Sequence, residues 1–320
     1  KLSKPIMIYG DDARGIISSR EFQTFDMAQK YRDLSERTEL NFDAVIALMD
    51  RLPTFLNGEN HKKNRKEMAK VYSASRPNQE KNVDAVLKEM RCMLEQLEGE
   101  LDIIQEIGKP LWEAVNSAIM GNTIIDSGLI LDLPDLFYPN FSIRRRKALN
   151  DRLMAELNKI SPLAKEETLN KISVLVLGAR PLMHSIALSI YKIATKNIGQ
   201  NLTSIKFSRS YADSSLRYVD RIATEDMTIN SNCLKSGSRT RCVSFDESYS
   251  EQDNTKYIFG SGRHLCLGRP IADYIWKKLI ALLSDIDKIV VPVTLTLAQQ
   301  EPFLMVDKSL IELKKPVVKN

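Results

Sequence analysis

The chain has 320 residues, 43% of them hydrophobic and 27% charged, which is enough apolar material for a sizeable core and excludes a disordered or fibrous protein. A net charge of +5 with no basic run longer than "RRRK" (144–147) argues against nucleic acid as a partner. Four widely spaced cysteines (Cys92, Cys233, Cys242, Cys266) give neither a disulfide framework nor paired zinc spacing, and they suit a reducing cytoplasm.

The opening "KLSKPIMIYG" shows no charged-then-apolar leader. Apolar residues then recur at helical spacing through most of 20–200, in "FDAVIALMDRL", "VDAVLKEMRCMLEQLEGELDIIQEI" and "ALNDRLMAELNKI". Breaks are expected near Gly58, Gly108–Pro110, Gly121, Pro134–Pro139 and Pro162. The run "ISVLVLGARPLMHSIALSIY" (172–191) is long enough to tempt a membrane reading, but Arg180, Pro181 and His184 at its centre would be costly in lipid, so no membrane span is expected. From about 219 the sequence alternates and turns often, predicting short strands or a hairpin. A helix returns in "IADYIWKKLIALLSDI", and "KIVVPVTLTL" and "SLIELKKPVV" predict strands near the end. The expected fold is mainly α with minor β, a single domain over 1–320.

Residues 257–270, "YIFGSGRHLCLGRP", set one thiol among glycines, an arginine and a histidine just before the late helix. A metal-binding thiolate needs nearby positive charge or N–H groups and room for its ligand. Gly260, Gly262 and Gly268 offer backbone conformations closed to other residues, and Arg263 and His264 can pair with anions. A buried structural cysteine in a turn is the alternative.

The stretch resembles the heme-binding motif of the cytochrome P-450 family: Phe259, Gly260, Gly262, His264, Cys266 and Gly268 fall in register with it. The resemblance implies a P-450-like fold, trimmed or lacking segments because the chain is shorter than typical members, and heme b with Cys266 as the thiolate ligand of its iron. It also implies propionate partners. "FLNGENHKKNRKEMAKVYS" (55–73) resembles the family helix in which His61 and Arg65, at i and i+4, reach a propionate; "RIATEDMTI" (221–229) is similar to the strand whose arginine, here Arg221, does the same. The helix before that strand should carry a glutamate three residues ahead of an arginine. "YADSSLRY" has Arg217 with Ser214 in the glutamate's place, and Asp213 stands one position off. Too little sequence separates Arg221 from Phe259 for the family's usual meander loop.

The helix 170–195 is expected to cross over the heme. Monooxygenases of the family carry an acid and a threonine there; aligning on Leu177–Gly178 puts Arg180 and Pro181 in their places. Pro181 cannot donate to the carbonyl of Leu177, which predicts an opening or kink. Arg180 needs an anion, either an internal aspartate, a propionate or a substrate carboxylate. The arginine–proline pair resembles the fatty-acid peroxygenase branch, which implies Arg180 and Pro181 as catalytic residues, hydrogen peroxide as oxidant and a carboxylate-bearing small molecule or fatty acid as substrate. An electron-fed monooxygenase is the alternative, with Lys62, Lys63, Lys66 and Arg269 docking an acidic ferredoxin. Heme-dependent isomerisation or dehydration, and a degenerate heme-binding relative without catalysis, also stay open. His184 reads as a satisfied core histidine or a pocket residue.

Overall fold

The computed structural model describes residues 4–229, 232–246, 248–249, 256–300 and 302–316. Its longest element follows from the helical periodicity after Gly58: α4 (Gly58–Gln96) is about 58 Å long at the usual rise per residue. Two segments that the sequence presents separately, one before and one after Pro77, are therefore continuous. Ahead of α4 lie β1 (Ile6–Ile8), α1 (Gly10–Ser18), β2 (Phe22–Gln23), α2 (Met27–Thr38) and α3 (Asp43–Met49); after it come β3 (Gly99–Asp102), α5 (Lys109–Met120), α6 (Ser127–Asp132), α7 (Ile143–Asn158) and α8 (Pro162–Lys196). Asp26 and Ser142 cap α2 and α7 by accepting from the Gln29 and Arg145 N–H groups, satisfying donors that a helix start leaves free.

The expected helix through "LEGELDIIQEI" is broken at Gly99, whose φ is +130°, and the chain forms β3 before re-entering a π turn over Ile104–Gly108 that runs into α5. Gly108 permits a close crossing, because a Cβ there would lie 3.1 Å from the Met183 carbonyl oxygen of α8.

Beyond α8 the strands fall where alternation predicts them: β4 (Tyr218–Ala223), β5 (Met227–Ile229), β6 (Asn232–Leu234), β7 (Arg239–Val243), then α9 (Arg269–Ser284), β8 (Ile289–Gln300) and β9 (Phe303–Lys314). One sheet has the order β1-β7-β4-β2, with β1 parallel to β7 and the other pairs antiparallel; a second has the order β3-β9-β8, and β5-β6 forms a small hairpin. The segment "YADSSLRY" is not a helix but a run of bends. Its ion pair nonetheless forms, Arg217 Nη1 to Asp213 Oδ1 at 3.0 Å, so Asp213 takes the partner's role without helical geometry.

The helices α4, α5, α8 and α9 pack against one another. α8 is buried around most of its circumference, including Ile172, Val174, Val176, Ala179 and Ile186. It is long and apolar enough to cross a membrane, but its most apolar stretch is 72% buried inside the protein, as a core helix. Pro181 does not end it; the helix continues to Lys196. A separate small core (Ile8, Ile16, Ile17, Phe22, Cys242) joins α1 to the first sheet. Asp84 bonds Tyr274 Oη at 2.9 Å and Lys278 Nζ at 3.2 Å, binding α4 to α9.

Candidate active site

The loop before α9 is closed by its own backbone. Cys266 N–H donates to the Phe259 carbonyl at 2.8 Å. Gly260 has φ +70°, and a Cβ there would stand 2.9 Å from the His264 carbonyl oxygen; Gly262 has φ +52° and would drive a Cβ to 2.7 Å from Ser18 Oγ. Both positions demand glycine, for the loop's own turn and for its seat on α1. Gly268 differs from the expectation: its φ is −79°, open to any residue, and its lack of a side chain makes room for the Tyr72 hydroxyl, 2.9 Å from where a Cβ would sit. The loop is further braced by Ser261 Oγ donating to the Arg14 carbonyl at 2.9 Å and by Arg263 Nη2 donating to the carbonyls of Ser19 and Phe22.

The Cys266 side chain is exposed, but it opens onto an internal cavity of about 660 Å³ rather than the outer surface. Its burial within the protein pushes the thiol pKa up, against the N–H groups of Gly268 and Arg269 and the nearby Arg65, all of which favour thiolate.

Around this thiol the fold gathers arginines and histidines from three distant stretches: α4, β4 and the cysteine loop itself. Arg65 comes from α4 and donates to the Leu265 carbonyl; Arg221, 5% exposed on β4, donates to the Asp220 carbonyl at 2.8 Å. His61 is buried and packs at a tilt of 53° against His264, with ring centroids 4.5 Å apart. Arg65, Arg221 and His264 line the cavity together with Phe259, Gly260, Cys266 and Gly268. His61 packs against the His264 ring and is not among the residues that line the cavity.

None of Arg65, Arg221 and Arg263 donates to a carboxylate among the described residues; the neighbouring Asp220 is held by Arg239 and Arg241. Nε of Arg221, Nε of Arg263 and Nε2 of His61 are buried without a partner. The electrostatics record the same deficit. Burial, with the surrounding arginines adding repulsion, depresses His61 to about 4; burial, then Arg221 and His61, depress His264 to about 2; and burial takes Arg221 down to about 10. Buried cations without anions are expensive. The two propionates of heme b, beside a thiolate donor, fit this deficit in charge, hydrogen-bond sense and position.

The opposite wall is α8. Leu177, Gly178, Arg180, Pro181 and Leu182 line the cavity, with Phe55, Phe137 and Phe303 adding apolar surface. Arg180 has its own anion. Nη1 donates to Asp135 Oδ1 at 2.6 Å and to Tyr138 Oη at 3.2 Å, and Nε to the Leu131 carbonyl at 2.9 Å. The internal aspartate, one of the three partners left open by the sequence, is the one present. His184 is a satisfied core residue: Nδ1 accepts from Val306 N–H at 3.1 Å, and burial, with Arg180 close by, depresses it to about 4.

Sequence reasoning passed over Tyr72 and Asp135. Tyr72 follows His61, Arg65 and Met68 at helical spacing, so the amphipathic pattern carries a signal for it. Asp135 lies in a short proline-flanked turn whose contact with α8 has no local signal.

No protein-family profile matches the chain, and no curated protein matches its sequence. Solved structures do. The chain is similar to the cytochrome P-450 BioI crystallised with an acyl carrier protein bearing hexadec-9Z-enoic acid, at 14% identity and a TM-score of 0.70, covering 96% of this chain and 92% of that one. It is similar to a thermophilic cytochrome P-450 from Sulfolobus tokodaii at 18% identity and a TM-score of 0.67, covering 99% and 96%. Likewise it resembles a Bacillus megaterium P-450 solved with testosterone, at 17% identity and a TM-score of 0.64, covering 96% and 91%.

Proposed function

Taking as premise that this chain has the cytochrome P-450 fold, we propose that it is a heme-thiolate oxidative enzyme acting on a small, largely apolar molecule. The observation that carries this is that Arg65 and Arg221, neither bonded to a carboxylate among the described residues, line with His264 the cavity into which the Cys266 thiol opens. In that reading the three side chains pair with the propionates of heme b. The N–H groups of Gly268 and Arg269 favour the thiolate against the burial that raises the thiol's pKa, and the phenylalanines and α8 give the wall opposite the sulfur an apolar face. Heme so held supplies an iron centre whose thiolate ligand favours O–O cleavage. The unpaired cysteines suit a reducing cytoplasm.

For the source of oxidant we favour hydrogen peroxide. Neither Arg180 nor Pro181 offers the carboxyl and hydroxyl that would pass protons toward a ligand in the cavity. A substrate carboxylate at Arg180 would share the guanidinium with Asp135. An electron-fed monooxygenase is the second reading, supported by the exposed Lys62, Lys63, Lys66 and Arg269 on the cysteine side.

The reduced protein under carbon monoxide tests the first step: a thiolate-type absorption band is expected, and Cys266→Ser is expected to abolish it. Absence of the band from the native chain overturns the reading. Turnover with peroxide alone, compared with turnover on reduced ferredoxin, decides the oxidant. Product only with ferredoxin overturns the peroxide proposal.

A further inference from the structure

The cysteine has a neighbour that the heme reading does not use. Tyr72, on α4, reaches between the two walls of the site: its hydroxyl oxygen lies 3.7 Å from where a Cβ on Gly178 of α8 would sit, and 2.9 Å from where one on Gly268 would sit. That second position is itself 3.7 Å from Cys266 Sγ. Two glycines from different elements thus leave a slot the size of a phenol oxygen, and the slot opens beside the sulfur. Any larger residue at Gly268 would collide with the hydroxyl.

No hydrogen bond of the Tyr72 hydroxyl is found among the described residues; the side chain is half-buried, lines the cavity and sets its oxygen between the two glycines. A phenol in such a place ordinarily finds an acceptor. The surroundings supply few. Gly178 and Gly268 offer no side chain, and Arg65, on the same helix, is a donor only. Cys266 as thiol is a weak acceptor, whereas as thiolate it is a strong one.

Resting on the heme-thiolate reading, we propose that Tyr72 is a positioning residue whose hydroxyl donates a hydrogen bond to the Cys266 thiolate, joining the N–H groups of Gly268 and Arg269 as a third donor. Hydrogen bonds to a ligating sulfur are one of the means by which a protein sets a metal's reduction potential. Each donor withdraws electron density from the sulfur, so the iron is easier to reduce with the bond than without it. The same bond favours thiolate over thiol in the heme-free protein. Tyr72 therefore acts on the metal through Cys266.

Two measurements test this, one with heme and one without. In the heme-loaded protein, Tyr72→Phe is expected to lower the reduction potential and to shift the carbon monoxide band to longer wavelength. In heme-free protein carrying serine at Cys92, Cys233 and Cys242, the pH dependence of Cys266 alkylation is expected to move to higher pH on Tyr72→Phe. Tyr72→Leu, which also removes the ring, is expected to shift both readouts in the same directions, since only the hydroxyl donates. An unchanged potential together with an unchanged alkylation profile in Tyr72→Phe overturns the proposal. Failure of the heme reading alone appears differently, as no carbon monoxide band in the native chain, and the alkylation experiment still decides whether Tyr72 bonds the sulfur.

Discussion

The cysteine side of the cavity and the α8 side both place arginines in buried surroundings, but they treat the charge in opposite ways. On the cysteine side Arg65, Arg221 and Arg263 bond only to carbonyls, and His61 and His264 are held neutral by burial and mutual repulsion. On the α8 side Arg180 has a carboxylate, a phenol and a carbonyl of its own. A buried charge must be compensated either within the fold or from outside it. The α8 arginine is compensated within, so it is complete as it stands; the cysteine side is not, and that incompleteness marks where an anionic ligand belongs.

The contrast can be broken most strongly at Asp135. Asp135→Ala strands Arg180, whose side chain is only 13% exposed against 27% for Asp135. Removing one partner of a buried pair costs about 3 to 5 kcal/mol, and the half-open aspartate sets the lower end, about 3 kcal/mol by chemical denaturation. Replacing both with apolar residues, Arg180→Met with Asp135→Leu, is expected to recover most of that loss. If Asp135→Ala left stability unchanged, Arg180 would not depend on its internal anion and the contrast would fall. A gain in fatty-acid affinity in Asp135→Asn would mark Arg180 as a carboxylate anchor.

The cysteine side is sharpened by pH. His61 titrates at about 4 when folded against 6.5 in the unfolded chain. Between those values the unfolded state binds the extra proton, so stability of the heme-free protein is full above pH 6.5 and falls as pH drops toward 4. The loss from this residue is about 3 kcal/mol. His61→Phe is expected to flatten the acid side of a stability–pH curve by that amount, and an identical slope in the variant would show that the cluster does not repel the proton.

The smallest effect belongs to the loop itself. Gly260→Ala must hold alanine at φ +70° with its Cβ 2.9 Å from a carbonyl oxygen, a strain of about 2 kcal/mol. Thermal unfolding of the heme-free variant measures it, and an unshifted midpoint would mean that the turn gives way.

Much of this was legible before any coordinates. The periodicities of α4, α7, α8 and α9 and the alternation in β4 and β7–β9 follow from which face each segment must bury. The cysteine loop was legible too, because its glycines, thiol and histidine act within ten residues of one another. Less accessible were the elements ruled by distant contacts. "YADSSLRY" has helical spacing but lies as bends, with Ser214 and Ser215 buried and Asp213 tied to Arg217 and near Lys192. "LEGELDIIQEI" gives way to β3 because the edge of β9 takes up its backbone groups.

The sequence by itself determined that a single thiol, preceded by two positive-φ glycines and followed by a helix, would sit in an anion-seeking setting, since that arrangement is local. Only the tertiary structure decided that Arg180 is neutralised by Asp135, that His61 packs against His264, and that Tyr72 ends beside the sulfur. Each of those outcomes depends on which helices cross and how closely, and in a packed interior one glycine at a crossing decides whose side chain fills the space.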